Sequence, residues 1–276
     1  MDESFLKLNI KEEIILLKLG GSLLTEKNRP FSIRKAVVKN AVQQVIDANV
    51  KLILIHGGGS FGHPLAKEYN IIKGLDLSIP NQILGLVKTH QSMNKFNNFL
   101  IDLFLDDQFP VLSIQSSTIF IKNLNKIITN SIDAIETALD LNILPILYGD
   151  IILDIGGSFS IISGDQIIFE LCKNLKKYDI SKVIFTMETD GLYVKDENDS
   201  NKYKLVEKCK SDELDSLDLA DMGQKIDVTG GIKGKLDSIK KICKYGIPVQ
   251  LINGLEKKYI YKSLKSQKIN CTHVIK

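Results

Sequence analysis

A chain of 276 residues with 44% hydrophobic and 25% charged residues is long enough to bury a sizeable core, as one domain or as two lobes on one sheet. Its 36 Lys and Arg against 33 Asp and Glu leave a formal charge of only +3, and the basic residues are scattered, not gathered into a stripe interleaved with aromatics; this argues against a nucleic-acid partner and leaves room for an anionic small molecule. Cys172, Cys209, Cys243 and Cys271 form no CxxC pair, and no run reaches the roughly 18 apolar residues of a membrane span, so the expected setting is a reducing cytoplasm without a zinc site, a disulfide framework or a membrane.

In chain order, residues 14–19 and 51–55 are short aliphatic runs, as expected for strands buried on both faces. Between them, residues 33–50 carry Ala36, Val37, Ala41, Val45 and Ile46 near helical spacing. Further strands are expected at 111–114, 143–148, 182–186 and 249–252, and helices at 83–107, 131–141, 163–176 and 234–245. This alternation implies an α/β fold, a three-layer αβα sandwich with a mostly parallel central sheet. The chain reads as a single domain over residues 1–276 with a soft lobe division near residue 178. Glycine clusters punctuate the strand ends, where ligands of open α/β sheets gather.

Four segments carry chemistry. LKLGGSLL places Lys18 at the end of a strand, followed by Gly20, Gly21 and Ser22; glycine lets backbone N–H groups approach a phosphate and the lysine supplies a cation. The segment matches neither the P-loop nor the dinucleotide fingerprint, and by itself it is also an ordinary strand-to-helix turn. HGGGSFGH runs from His56 to His63 directly after the second strand. DVTGGIKGKLD, residues 227–237, sets Gly230 and Gly231 before a helical pattern with Lys233 and Lys235, and a helix start offers unpaired N–H groups to an anion. PILYGDIILD and SGDQI supply Gly149, Asp150 and Asp165; an aspartate in such places is often only a cap or a turn former.

Taken together, KLGGS, the glycine-rich loop after the second strand, YGD, SGD, the TDG turn at 189–191 and TGG-x-x-GK resemble the ordered signatures of the amino acid kinase superfamily. Within it, HGGGSFGHP with Thr25, Glu26 and Lys27, YGD-I-x-x-D and SGDQI look like isopentenyl phosphate kinases of the archaeal type, over nearly the whole chain. The resemblance implies a homodimer and transfer of a phosphoryl group from ATP, with Mg²⁺, to isopentenyl phosphate or a similar small acceptor in isoprenoid biosynthesis. It further implies an acceptor lobe at about 14–178 and a nucleotide lobe at about 179–276.

The acceptor in that reading is a phosphate monoester with a second pKa of about 6, already ionised at neutral pH, so it needs no general base. It needs relief from repulsion between two anions, supplied by cations and backbone donors. The family pattern then has Gly57, Gly58, Gly59 and Ser60 wrapping the acceptor phosphate and His63 donating to it. Gly149 and Asp150 lie beside the acceptor. Lys18, Lys27 and Lys235 act on transferring and leaving charge, with Gly20, Gly21, Ser22 and Gly59 around the nucleotide phosphates. Asp165 orders the lysines. Asp190, Gly191, Gly230 and Gly231 contact ATP, and Leu86, Ile151 and Ile161 form an apolar wall for the prenyl group.

His56 reads instead as a strand-end brace, and His90 and His273 have no motif. Three departures stand out: residues 187–191 read METDG where the family has TDVDG, Cys271-Thr272 replaces a Gly-Thr, and the first thirteen residues have no counterpart. The rival readings are a fosfomycin kinase with a smaller, less apolar acceptor pocket, a kinase acting on a carboxylate, which lacks the SFGH signature, and a catalytically silent nucleotide sensor, which would not need all three lysines.

Overall fold

The computed structural model describes residues 11–26, 28–124, 126–196, 199–219 and 231–276. In chain order the elements are β1 (Glu13–Leu19), α1 (Gly21–Leu24), α2 (Lys35–Ala48), β2 (Leu52–His56), α3 (Gly59–Glu68), α4 (Gln82–Asp106), β3 (Val111–Ser113), α5 (Ser116–Ile119), β4 (Phe120–Asn123), β5 (Lys126–Thr129) and α6 (Asp133–Asp140). They continue with β6 (Leu144–Tyr148), β7 (Asp150–Asp154), β8 (Ser158–Ile162), α7 (Gly164–Asn174), β9 (Asp179–Met187), β10 (Tyr193–Asp196), β11 (Asp199–Leu205), β12 (Lys208–Lys210), α8 (Gly231–Cys243), β13 (Val249–Asn253), α9 (Tyr259–Leu264) and β14 (Thr272–Ile275).

Eight strands form the central sheet in the order β12-β14-β13-β9-β1-β2-β6-β3. Every neighbouring pair is parallel except β13 with β14. Strands from both halves of the chain share this sheet, and β1 stands at its turning point: later strands of the first half add on its β2 side, those of the second half on its β9 side. Side-chain alternation along β1 builds the layers. Ile14 and Leu16 point into one core with Ile167, Leu171 and Ile239 of α7 and α8. Ile15, Leu17 and Leu19 point into the other, with Val38 and Val42 of α2 and Phe96 and Leu100 of α4. The inner strands such as β1, β2 and β6 are apolar on both faces because each face is covered by helices, which is why period-two alternation is invisible in these runs.

The expected central strands and the five expected helices, including the one at 33–50, are present, with ends shifted by a few residues. Two features go beyond those expectations. The glycine-rich loop after β2 is short: the third glycine of HGGGSFGH already opens α3. And a second, four-stranded sheet, β5-β4-β7-β8, stands beside the first. Its β7–β8 hairpin begins at the aspartate of YGD and ends just before SGD; the turn at Gly156 and Gly157 separates two strands too short and too mixed in polarity to declare themselves beside the louder aspartate motifs.

Candidate functional site

At the carboxyl ends of β1, β2, β6 and β9 lies a cavity of about 650 Å³. Lys18, Gly20, Gly21, Ser22, Gly57, Gly58, Gly59, Ser60, His63, Gly149, Asp150, Ile161, Asp165 and Lys235 all line it. Segments up to 217 residues apart in the chain thus meet at the edge where strand order reverses, where open α/β sheets place their ligands.

Its floor is a charged cluster. Lys18 lies on the same face of β1 as Ile14 and Leu16, one position short of the strand's end, so its stem runs through apolar packing and its ammonium emerges toward the start of α7. There it donates to Asp165. The Lys235 ammonium, from α8, lies 3.7 Å from the same carboxylate oxygen. Both cations sit over the Phe185 ring, at 5.8 and 5.0 Å from its centre. Burial alone would raise the Asp165 pKa; the ammonium groups of Lys18 and Lys235 outweigh it and hold the carboxyl below its ordinary value. Asp165 does not cap its helix. Ser163 does, accepting from the Gln166 amide at 3.2 Å while the Gln166 side chain accepts from the Ser163 amide at 2.8 Å. That capping box leaves Asp165 free to serve the lysines. Lys233, two positions before Lys235, points to solvent, as residues two apart on a helix must face different ways.

The walls beside this cluster are two glycine turns packed backbone to backbone. A Cβ on Gly21 would stand 2.4 Å from the Gly59 nitrogen, and Gly59 itself has φ +48°, so no larger residue fits either place without moving main chain. The Gly20 amide donates to Thr186 Oγ1, which in turn donates to the Lys18 carbonyl, tying the end of β1 to β9. In the second turn, the Gly57 amide donates to Leu19 O and the Ser60 amide to Thr25 Oγ1. Among the described residues this leaves Gly58 and Gly59, at the start of α3, as that turn's donors for an anion.

Ser60 has a different task from the one expected of it. Its hydroxyl donates to Ser32 O and accepts from the Ser32 amide. Pro64, inside α3, has no N–H for Ser60 O four residues back, and the Phe31 amide takes that acceptor at 3.1 Å. Ser60 and Pro64 together dock residues 28–33 onto α3, with the Phe31 ring edge-on to Phe61, and Asn28 thereby reaches the cavity. Lys27 lies outside the described residues, as does Gly230; Gly231 opens α8.

The three histidines near the site have different environments. His56 is fully buried, stacked on Tyr148 and edge-on to Phe96, with Gly57 O and Asn97 Oδ1 each 3.2 Å from a ring nitrogen. Burial pushes its pKa down to about 4, so it is a neutral brace. His63, one turn into α3, is partly exposed on the cavity wall. His90, for which no motif spoke, has its Nδ1 2.8 and 2.9 Å from the two carboxylate oxygens of Asp150. The hydrogen bond to Asp150 raises the His90 pKa against partial burial. Asp150 therefore does not offer its carboxylate to the cavity: the side chain is fully buried, bonded to His90 and to the Ile151 amide.

Two further expectations need correction. Of the proposed prenyl wall only Ile161 faces the cavity; Leu86 and Ile151 are buried behind it in a small core with Ala66, Ile71 and Phe159. The apolar lining comes instead from Ala66, Ile72 and Met93, with Thr89 beside them. Thr89 and Met93 follow Leu86 at helical spacing along α4, a signal that would have found them once α4 was known to pass the site. Asp190 and Gly191 are off the cavity lining, and a Cβ on Gly191 would stand 2.2 Å from Thr272 Oγ1, so that glycine admits β14 against the turn.

The sequence profile of the amino acid kinase family matches residues 13–253. The chain is 35% identical over 260 residues to the isopentenyl phosphate kinase of Methanocaldococcus jannaschii, covering 91% of this chain and 95% of that one. It is 29% identical to the isopentenyl phosphate kinase of Methanothermobacter thermautotrophicus, covering 95% and 98%. A crystal structure of an isopentenyl phosphate kinase superposes with a TM-score of 0.79 at 26% identity, covering 95% of this chain and 99% of that one.

Proposed function

The chain belongs to the amino acid kinase family, and from that premise we propose that it is an isopentenyl phosphate kinase, transferring a phosphoryl group from ATP directly to isopentenyl phosphate to give isopentenyl diphosphate. The observation that carries the reading is the pair of lysines held by one carboxylate, buried Lys18 and half-buried Lys235 on Asp165, beside glycine turns and a partly apolar recess in one cavity. None of the carboxylates at the cavity is left unpaired to act as a general base: Asp150 is bonded to His90, Asp165 to the lysines and Glu188 to Arg34 at 2.8 Å. A phosphate acceptor, ionised before it arrives, suits such a site; an alcohol acceptor does not.

In this reading Lys18 and Lys235 neutralise charge as two anions meet, Asp165 keeps them in place, and the amides of Gly58 and Gly59 with His63 hold the acceptor phosphate. Gly21 and Ser22 face the nucleotide phosphates across the shared wall. Ala66, Ile72, Met93 and Ile161 receive the prenyl group. Mg²⁺ accompanying ATP would neutralise phosphate charge. Four free, buried cysteines support a reducing cytoplasm, and the exposed Ile83, Leu84 and Val87 on the outer face of α4 support burial against a second copy in a homodimer.

The test is ADP release with Mg-ATP and isopentenyl phosphate, dimethylallyl phosphate, fosfomycin, UMP and N-acetylglutamate as acceptors. Preference for isopentenyl phosphate is expected; preference for fosfomycin, or silence across the panel, would overturn the reading. Light scattering checks the dimer.

A further inference from the structure

The proposed reaction gives His90 no task, yet it makes a bidentate-range contact with a carboxylate buried directly behind the wall that Gly149 presents to the acceptor. A dianionic acceptor enters a recess whose wall holds Asp150. The charge of that carboxylate is screened by little water, because its side chain is fully buried, and at such sites a like charge some ångströms away is felt strongly. We infer that His90 is a positioning residue for charge: as imidazolium it cancels Asp150, so that the phosphate of the acceptor meets a neutral wall.

The surroundings allow this state. Facing the pair are Asn94 of α4, 3.0 Å from His90 Nε2; Tyr148 of β6, whose hydroxyl is bonded to Asn94 and whose pKa burial drives up, keeping it uncharged; and Ser117 of α5, bonded to Asp150. Asp150 is the charged partner His90 meets there. As placed, the Asn94 amide nitrogen faces Nε2 and its oxygen accepts from the Tyr148 hydroxyl; with the amide turned over, its oxygen accepts from a protonated Nε2 and its nitrogen donates to that hydroxyl, so the network accommodates a proton on both His90 nitrogens once Asn94 turns. Lys88, two residues back on α4, is turned to Tyr69 instead. Across the cavity stand His63 and Lys67. Burial raises the Asp150 pKa while the bond to His90 lowers it; the pair remains neutral overall whichever partner holds the proton.

The inference rests on taking Gly58 to His63 as the acceptor end, so His63→Ala is measured alongside. With isopentenyl phosphate and ATP as substrates, His90→Gln is expected to raise the acceptor KM about tenfold with the ATP KM within twofold of wild type. His90→Gln/Asp150→Asn, which removes both charges, is expected to bring the acceptor KM back to within about threefold. A structural role would not produce that recovery. An unchanged acceptor KM in His90→Gln, or a double variant no better than the single, overturns the inference. An unchanged acceptor KM in His63→Ala overturns the placement of the acceptor and the inference with it, whereas a rise in His63→Ala with none in His90→Gln overturns the inference alone. Should His90→Gln not fold, wild type and Asp150→Asn decide between them: wild-type acceptor KM rises with pH as the raised His90 pKa is passed, and the rise is shallower in Asp150→Asn. Equal slopes overturn the inference.

Discussion

The central sheet has a cavity at each end, and the two differ in chemistry. At the carboxyl ends of the strands, α1, α3 and α7 begin, bringing unpaired N–H groups and positive dipole ends to a space that also holds Lys18 and Lys235. At the amino ends a groove of about 410 Å³ lies among Glu12, Val45, Lys51, Phe109 and Ile143. There α2 and α6 end, presenting carbonyls, and the lysine is neutralised by an ion pair of 2.7 Å to Glu12. Strand direction therefore separates a site prepared for anions from a groove with none of that preparation.

The largest expected effect on that contrast is at Lys18. Lys18→Ala removes a cation from the floor of the anion site, and kcat is expected to fall at least 100-fold; steady-state kinetics within tenfold of wild type would remove the basis for the contrast. Next is a pH effect at the same end. His56 in the native chain binds a proton only near pH 4, whereas in the unfolded chain it does so near 6.5. Its stabilising share is therefore complete above pH 6.5 and lost as the pH falls from 6.5 toward 4, by about 3 kcal/mol. Urea titrations across that window should show the loss in wild type and a flatter profile in His56→Gln.

A smaller change is expected from His63→Ala: about a tenfold rise in acceptor KM, with kcat and the ATP KM within threefold. The smallest belongs to the amino end. Lys51→Ala breaks a partly exposed ion pair and should cost under about 1 kcal/mol in chemical denaturation, with kinetic constants unchanged. Impaired turnover in that variant would show that the two ends are coupled.

Much of this was legible in the sequence because it is local. An aliphatic run bounded by glycines announces a strand buried on both faces, and KLGGS, HGGGSFGH and SGDQ each carry their own turn chemistry; all three reach the same cavity. The β7–β8 hairpin was not legible, since its alternation is short and is interrupted by motifs with stronger local meaning. Leu86 and Ile151 were misplaced because an apolar residue in the core and one on a pocket wall are written the same way; burial behind Ile161 depends on how α4 meets the hairpin.

His90 marks the limit most clearly. Nothing within several residues of it in sequence signals a role, and its partner Asp150 is 60 residues away, brought there by the packing of α4 against the corner between β6 and β7. The order of the central elements, the two apolar faces of the inner strands and the glycine turns follow from the sequence alone, because they depend on neighbours a few positions apart. Which carboxylate meets which cation, and which apolar side chains reach the cavity surface, was decided only by tertiary structure, because those contacts are set by the crossing of distant elements in a low-dielectric interior, where an ångström determines whether a charge is paired.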